Sequence, residues 1–389
     1  MTNCLYCGNN RIPHLTHKFY ESFDILVSPI RRTVVQSWLG HVTDSLASWV
    51  GLGLFHLFYA LGLIQLNRDI NLVPYDRAKF LWQDAINRNI EIEEIKPFNR
   101  SIDLYRAKVK GKRLYFMNLP RREKVTTSNL TWVDDKYLLK KKLLAHNFPV
   151  APGGSFVTLH GALKQFDALN KPVIVKPRAG SRGRHTTTMV YTRDDLKKAF
   201  KIAKQLCHWV MVEEHLYGDV QRGTVIDGKL IGVLGGTPPR VTGDGVHTIG
   251  ELIKIKDAAR PEKVKETKVN PYFMQRNNLG VDLILAQGQT VDLSEKIGVN
   301  YGGTSYDCTE VTHSATKQML EDAAKLLEIS VLGFDFIAPD ITKSYKEQKT
   351  GIIECNGAPF IQLHHEPLYG QSINAAKYVW DLVAWQIYT

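Results

Sequence analysis

The chain has 389 residues, 44% of them hydrophobic, which is globular by composition and long enough for two or more structural units around a sizeable core. Five cysteines do not make a disulfide framework and no charged-then-apolar leader opens the chain, so a reducing, cytoplasmic setting is the default expectation. The net charge of +11 sits mostly in residues 1–150, where 22 basic face 13 acidic side chains, but no aromatic interleaving or nucleic-acid module accompanies it, so nucleic acid is not an expected partner.

In chain order, Cys4-Leu-Tyr-Cys7 with His14 and His17 offers two thiols and two imidazoles to a metal, although the spacing is looser than in structural zinc sites, and a solvated terminal segment is the alternative. Residues 45–67 carry no formal charge over a length that could span a bilayer. His56, Gln65 and three glycines lie inside it, leaving a buried helix or helix pair, a helix on a membrane surface, or a span. Residues 77–95 read as a helix, with Phe80, Leu81, Ala85 and Ile86 apolar, followed by a strand. Residues 102–116 read as a hairpin, with Arg106, Lys108, Lys110 and Lys112 alternating on a wet face. A helix then opens at Asp134-Asp-Lys136 and is broken by Phe148-Pro-Val-Ala-Pro152.

The segment Pro172–Thr188, PVIVKPRAGSRGRHTTT, is the one around which the chain is organised. Val173–Val175 is a buried strand ending on Lys176. Beyond it a glycine-rich turn with three arginines leads back into a strand near Thr186. Glycines let a backbone approach a ligand, and successive N–H groups in such a turn form an anion cradle, which suits phosphates. Downstream, Leu332–Asp340 and Thr350–Pro359 read as an antiparallel strand pair. Glu354 and Asn356, two apart, project from one face, and Asp335 on the partner strand joins them in an all-oxygen set suited to Mg²⁺.

These features resemble the ATP-grasp ligases, most closely the ATP-grasp portions of cyanophycin synthetase and of fused bacterial glutathione synthetases. The resemblance runs from about Asp134 to the end. Its pieces stand in the family's order: Asp135-Lys136, Val173–Pro177 with its glycine loop, Val212–Leu216, Gly218-Asp219, Val241–Leu252, Tyr301–Ser305, Gly333–Asp335 and Glu354–Asn356. It implies an α/β (α+β) ATP-grasp fold in which two subdomains clasp ATP behind a helical and small α/β N-terminal region. The expected division is 1–70, apolar, basic and helical; 71–133, a small α/β domain; 134–212, the first subdomain with the glycine loop; and 213–389, the second with the magnesium site.

The resemblance also implies roles. Lys136 and Lys176 take the nucleotide phosphates, and Ser181 and Gly183 donate over them. Glu213, Glu214 and Leu216 belong to the adenine-reading segment, and Asp219 holds ribose, although Val220 and Gln221 depart from the usual continuation. Asp335, Glu354 and Asn356 hold Mg²⁺, with Mn²⁺ as an alternative. Arg222 and Arg240 are candidates for the transferred phosphoryl group or a substrate carboxylate, and His364 and His365 for the acceptor pocket. The loops at 180–183 and 243–245 are the candidate lids. The implied activity joins a small-molecule or peptide carboxylate to an amine, an amino acid among the substrates, through an acyl phosphate. A kinase on the same fold and a non-catalytic nucleotide binder are the alternatives. Peripheral attachment to the inner face of a membrane through 45–67 and homo-oligomerisation stay open.

Overall fold

In the computed structural model, which describes residues 4–7, 12–35, 55, 57–122, 129–180 and 183–385, the chain forms three antiparallel sheets and a small ribbon, and one long cleft opens between two of the sheets and the ribbon. The first sheet runs in sequence order through β1 (Ile64–Asn67), β2 (Glu91–Pro97), β3 (Leu104–Val109) and β4 (Lys112–Met117). Along β3, Tyr105, Ala107 and Val109 are buried while Lys108 is exposed, giving the wet and dry faces expected of alternation. The helix Asp76–Asn87 packs on the dry face. Its buried apolar residues are Ala78, Leu81, Trp82 and Ala85, whereas Ile86 faces solvent, so the apolar stripe is displaced from the expected one toward the large indole. Residues 45–54 and 56 lie outside the described residues. The apolar run is not wholly helical, because it turns at Leu61-Gly62 and finishes as the edge strand β1.

The second sheet has the order β5 (Gly153–Phe156), β8 (Val210–Glu214), β6 (Val173–Pro177), β7 (Thr187–Val190). In β6, Val173 and Val175 point into a core shared with helices Leu159–Ala168 and Arg193–Ala203, so Ile174 and Lys176 face the opposite way, into the cleft. The turn between β6 and β7 is the glycine-rich one. Ser181 lies outside the described residues.

The third sheet, β13 (Thr304–Asp307), β10 (Lys229–Thr237), β9 (Asp219–Ile226), β14 (Val331–Ala338), β15 (Gly351–Asn356), forms the opposite wall. Phe334 and Phe336 of β14 and Cys355 of β15 bury against the helix Ser314–Leu327, leaving Asp335 and Glu354 on the cleft side. The ribbon β11 (Arg240–Thr242) and β12 (Thr290–Asp292) with the helix Ile249–Ala258 makes a separate small core at one end. Within the Val241–Leu252 run, Thr248 and Glu251 form a reciprocal capping box that starts this helix, and Asp244 accepts from the amides of Val246 and His247. Finally, the helix Ala375–Trp385 returns to the first sheet and completes its core.

Candidate active site

The helix Lys136–Leu144 begins at Asp135, whose carboxylate accepts from the amides of Tyr137 and Leu138 and takes a two-point ion pair from Arg178, Nε to Oδ1 at 2.9 Å and Nη2 to Oδ2 at 2.6 Å. This cap fixes Lys136 at the first helical position. Its Nζ donates to the carbonyl of Gly180 at 2.6 Å and lies 3.8 Å from Glu354 Oε1. One turn on, Lys140 meets Glu213. Lys176 reaches the other oxygen of the same carboxylate at 2.7 Å. Burial alone would push the Glu213 carboxyl up, but Lys176 and Lys140 outweigh it and hold it down to about 2. Glu213 therefore sits beneath the lysines and orders them from the buried side. Glu214 points to the other face of β8, where it accepts from Asn170 and from Lys349 at 2.5 Å.

Across the cleft, Arg222 of β9 stands opposite Asp335 of β14, which stands opposite Glu354 of β15, a row three strands wide. Arg222 grips Asp335 through Nε to Oδ1 at 2.6 Å and Nη2 to Oδ2 at 2.7 Å. Asn356, paired with Gly333, lies two residues beyond Glu354. The three oxygen-bearing side chains are all half-buried, so a hard cation could bind them and keep water or phosphate ligands.

Two adjoining chambers open between these walls. The smaller, about 440 Å³, is lined among others by Lys136, Lys176, Gly183, Leu216, Asp219 and Glu354. The larger, about 1030 Å³, is lined by Arg222 and Asp335 and by Arg260, Lys265, Lys268 and Lys296. Gly183, Val220, Glu295 and Ile297 border both. Asp219 accepts from Tyr306 Oη at 3.2 Å.

No family model matches the chain. Among curated proteins, it is 28% identical over 333 residues to the glutathione biosynthesis bifunctional protein GshAB of Clostridium perfringens, covering 82% of this chain and 42% of that protein. It is 32% identical over 223 residues to the cyanophycin synthetase of Crocosphaera subtropica, covering 54% and 26%. Among solved structures, a bifunctional glutathione synthetase from Pasteurella multocida matches with a TM-score of 0.55 and 25% identity over 80% of this chain and 43% of that one. The chain has the ATP-grasp fold. It spans less than half the length of these relatives.

Of the residues named from the sequence, Lys136, Lys176, Gly183, Leu216, Asp219, Arg222, Arg240, Asp335 and Glu354 all border the cleft. Arg240 does so from the far ribbon, held by Asp292 at 2.9 Å. The histidines do not. His364 is fully buried, its Nε2 2.7 Å from Thr224 Oγ1, and burial pushes its pKa down to about 4. His365 stacks on Phe80 and accepts from the amide of Ala376. Their neighbours Gln362 and Leu363 line the larger chamber instead. Nor do residues 243–245 border either chamber; a Cβ on Gly243 would fall 2.4 Å from the carbonyl of Ala286, so that glycine serves close packing. Sequence reading missed Lys140, Arg178, Tyr306 and the chamber lysines. Lys140 was legible in principle, since it stands four residues after Lys136 and shares its helix face.

Proposed function

We propose that this chain is an ATP-dependent carboxylate–amine ligase, forming an amide or peptide-like bond through an acyl phosphate with an amino acid as one substrate. The position of Lys136 carries this reading: its ammonium bridges the glycine-loop carbonyl of Gly180 and the Glu354 carboxylate, so phosphate-binding and cation-binding groups meet in one cleft. Asp335, Glu354 and Asn356 would hold Mg²⁺ or Mn²⁺, which when bound neutralises triphosphate charge. Lys136 and Lys176 supply fixed positive charge to phosphate oxygens. Ile174 and Leu216 offer apolar surface to a base, and Asp219 accepts from ribose hydroxyls. The larger chamber, lined by Arg260, Lys265, Lys268 and Lys296 and also by Glu262, Glu266 and Glu295, offers groups for both a carboxylate and an ammonium, and Arg222, on the border between acidic row and chamber, is placed to hold the transferring phosphoryl group. The γ-phosphoryl moves from ATP to a carboxylate oxygen, and ADP departs with the electrons of the broken P–O bond. The amine nitrogen then attacks the acyl carbon and loses a proton, and phosphate departs with the electrons of the broken C–O bond.

All five cysteines are unpaired, which supports a reducing, cytoplasmic setting. Among the described residues no helix is long and apolar enough to cross a membrane.

The test is phosphate release from Mg-ATP across pooled carboxylates and amino acids, with mass spectrometry of the products and Glu354→Ala as control. Release that needs both a carboxylate and an amine, with a product lighter than their sum by one water, is expected. A phosphorylated acceptor without free phosphate would replace ligation by kinase chemistry. Arg222→Lys, which keeps the charge but loses the two-point grip, is expected to lower kcat by about 10²-fold while leaving the KM for ATP within a few-fold, read by steady-state kinetics.

A further inference from the structure

The amino-terminal Cys4-Leu-Tyr-Cys7 folds onto the hairpin that carries the glycine loop, and four metal-binding side chains meet there. Cys4, Cys7, His14 and His185 each offer one ligand atom, and these atoms all lie within 4.8 Å of one another. Cys7 Sγ is 3.1 Å from His14 Nε2 and 3.4 Å from His185 Nε2, and Cys4 Sγ is 3.4 Å from His185 Nε2. A tetrahedral zinc ion, with bonds of about 2.3 Å to sulfur and about 2.0 Å to nitrogen, sets its sulfur and nitrogen ligands about 3.5 Å apart. The cage already has that size.

A second, independent contact aims the most remote of the four. His185 is almost wholly buried, and its Nδ1 lies 2.8 Å from the carbonyl of Ile202. Only a protonated Nδ1 can donate to that oxygen, so Nε2 carries its lone pair toward the two sulfurs, the tautomer that a metal requires. His17, which spacing alone placed in the ligand set, is turned elsewhere: its Nδ1 is 3.6 Å from Glu21, and its Nε2 lies against Gly180.

We propose that Cys4, Cys7, His14 and His185 bind one Zn²⁺ in a closed structural site that clamps the amino-terminal segment to the β6–β7 hairpin. Four protein ligands leave no open coordination position, so the ion serves architecture and not chemistry. The amide of His185 donates to the carbonyl of Tyr6 at 3.1 Å, tying the same two segments together, and Lys296 Nζ, from the segment after β12, donates to the carbonyl of Cys7 at 3.2 Å. Gly183, two residues before His185, and Lys296 both border the larger chamber, so the clamp positions part of the cleft wall.

The test uses the full chain purified without chelator, with metal measured by elemental mass spectrometry. The expected result is one zinc per chain, retained in His17→Ala and weakened more than about a hundredfold in Cys7→Ser and in His185→Ala. Because those variants could unfold, wild-type protein stripped of metal is also titrated with Co²⁺, which should develop the visible ligand-field and thiolate charge-transfer bands of a tetrahedral site. Three outcomes each overturn the proposal: a wild-type chain that takes up neither ion, zinc lost in His17→Ala but kept in His185→Ala, or Cys4 and Cys7 thiols equally reactive with and without zinc.

Discussion

A carboxylate cut off from water stays ionised only where cations replace the solvent, and Glu213 has two of them. Removing its charge leaves Lys140 and Lys176 facing each other in a buried site. Glu213→Gln is accordingly expected to cost about 3–5 kcal/mol in urea unfolding, the range for breaking a buried pair from one side. Its folded-state pKa lies below the unfolded value. The stabilisation is therefore complete above about 4.5 and drains away as the pH falls toward about 2, and the variant should lack that part of the acid sensitivity. At this scale the sequence told two kinds of residue apart unequally. Lys176 was legible because a polar residue at the end of a β-branched run, beside a glycine turn, has little reason to be there unless it faces a ligand. His364 was not, because a buried histidine bonded to Thr224 through Nε2 and a histidine that touches substrate are the same letter in the sequence.

Among elements, the β14–β15 pair was readable from the two-residue spacing of Glu354 and Asn356, and its register places Asp335 directly opposite Glu354. What the spacing did not contain was the third strand. β9 brings Arg222 into the row although 113 residues separate it from Asp335, and no local pattern marks such a neighbour. The entry to β9 also depends on backbone freedom. Gly218 has φ +120°, and a Cβ there would lie 2.5 Å from the carbonyl of Ala338, the register partner of Asp219. Gly218→Ala is expected to lower stability by at least about 1 kcal/mol and, by displacing Asp219, to raise the KM for ATP; thermal unfolding and nucleotide titration check the two effects separately.

For the molecule as a whole, the closing contact joins segments far apart in sequence. Trp380 is fully buried against Phe116, and its Nε1 donates to the carbonyl of Leu81 at 2.8 Å, 299 positions away. Trp380→Ala is expected to cost about 3–5 kcal/mol, measured by denaturant unfolding, with the loss focused on the β1–β4 sheet in hydrogen exchange. Nothing in the amphipathic pattern of residues 375–385 names the sheet they cover. The same packing has a consequence during synthesis. Val379, Trp380 and Val383 share one core with Trp82, Tyr105 and Phe116. The sheet made first therefore emerges from the ribosome without the residues that finish its interior, and must wait through the translation of both walls of the cleft with that apolar face uncovered. The earliest sheet is among the last parts to be completed, and throughout that interval it offers a ready surface to chaperones.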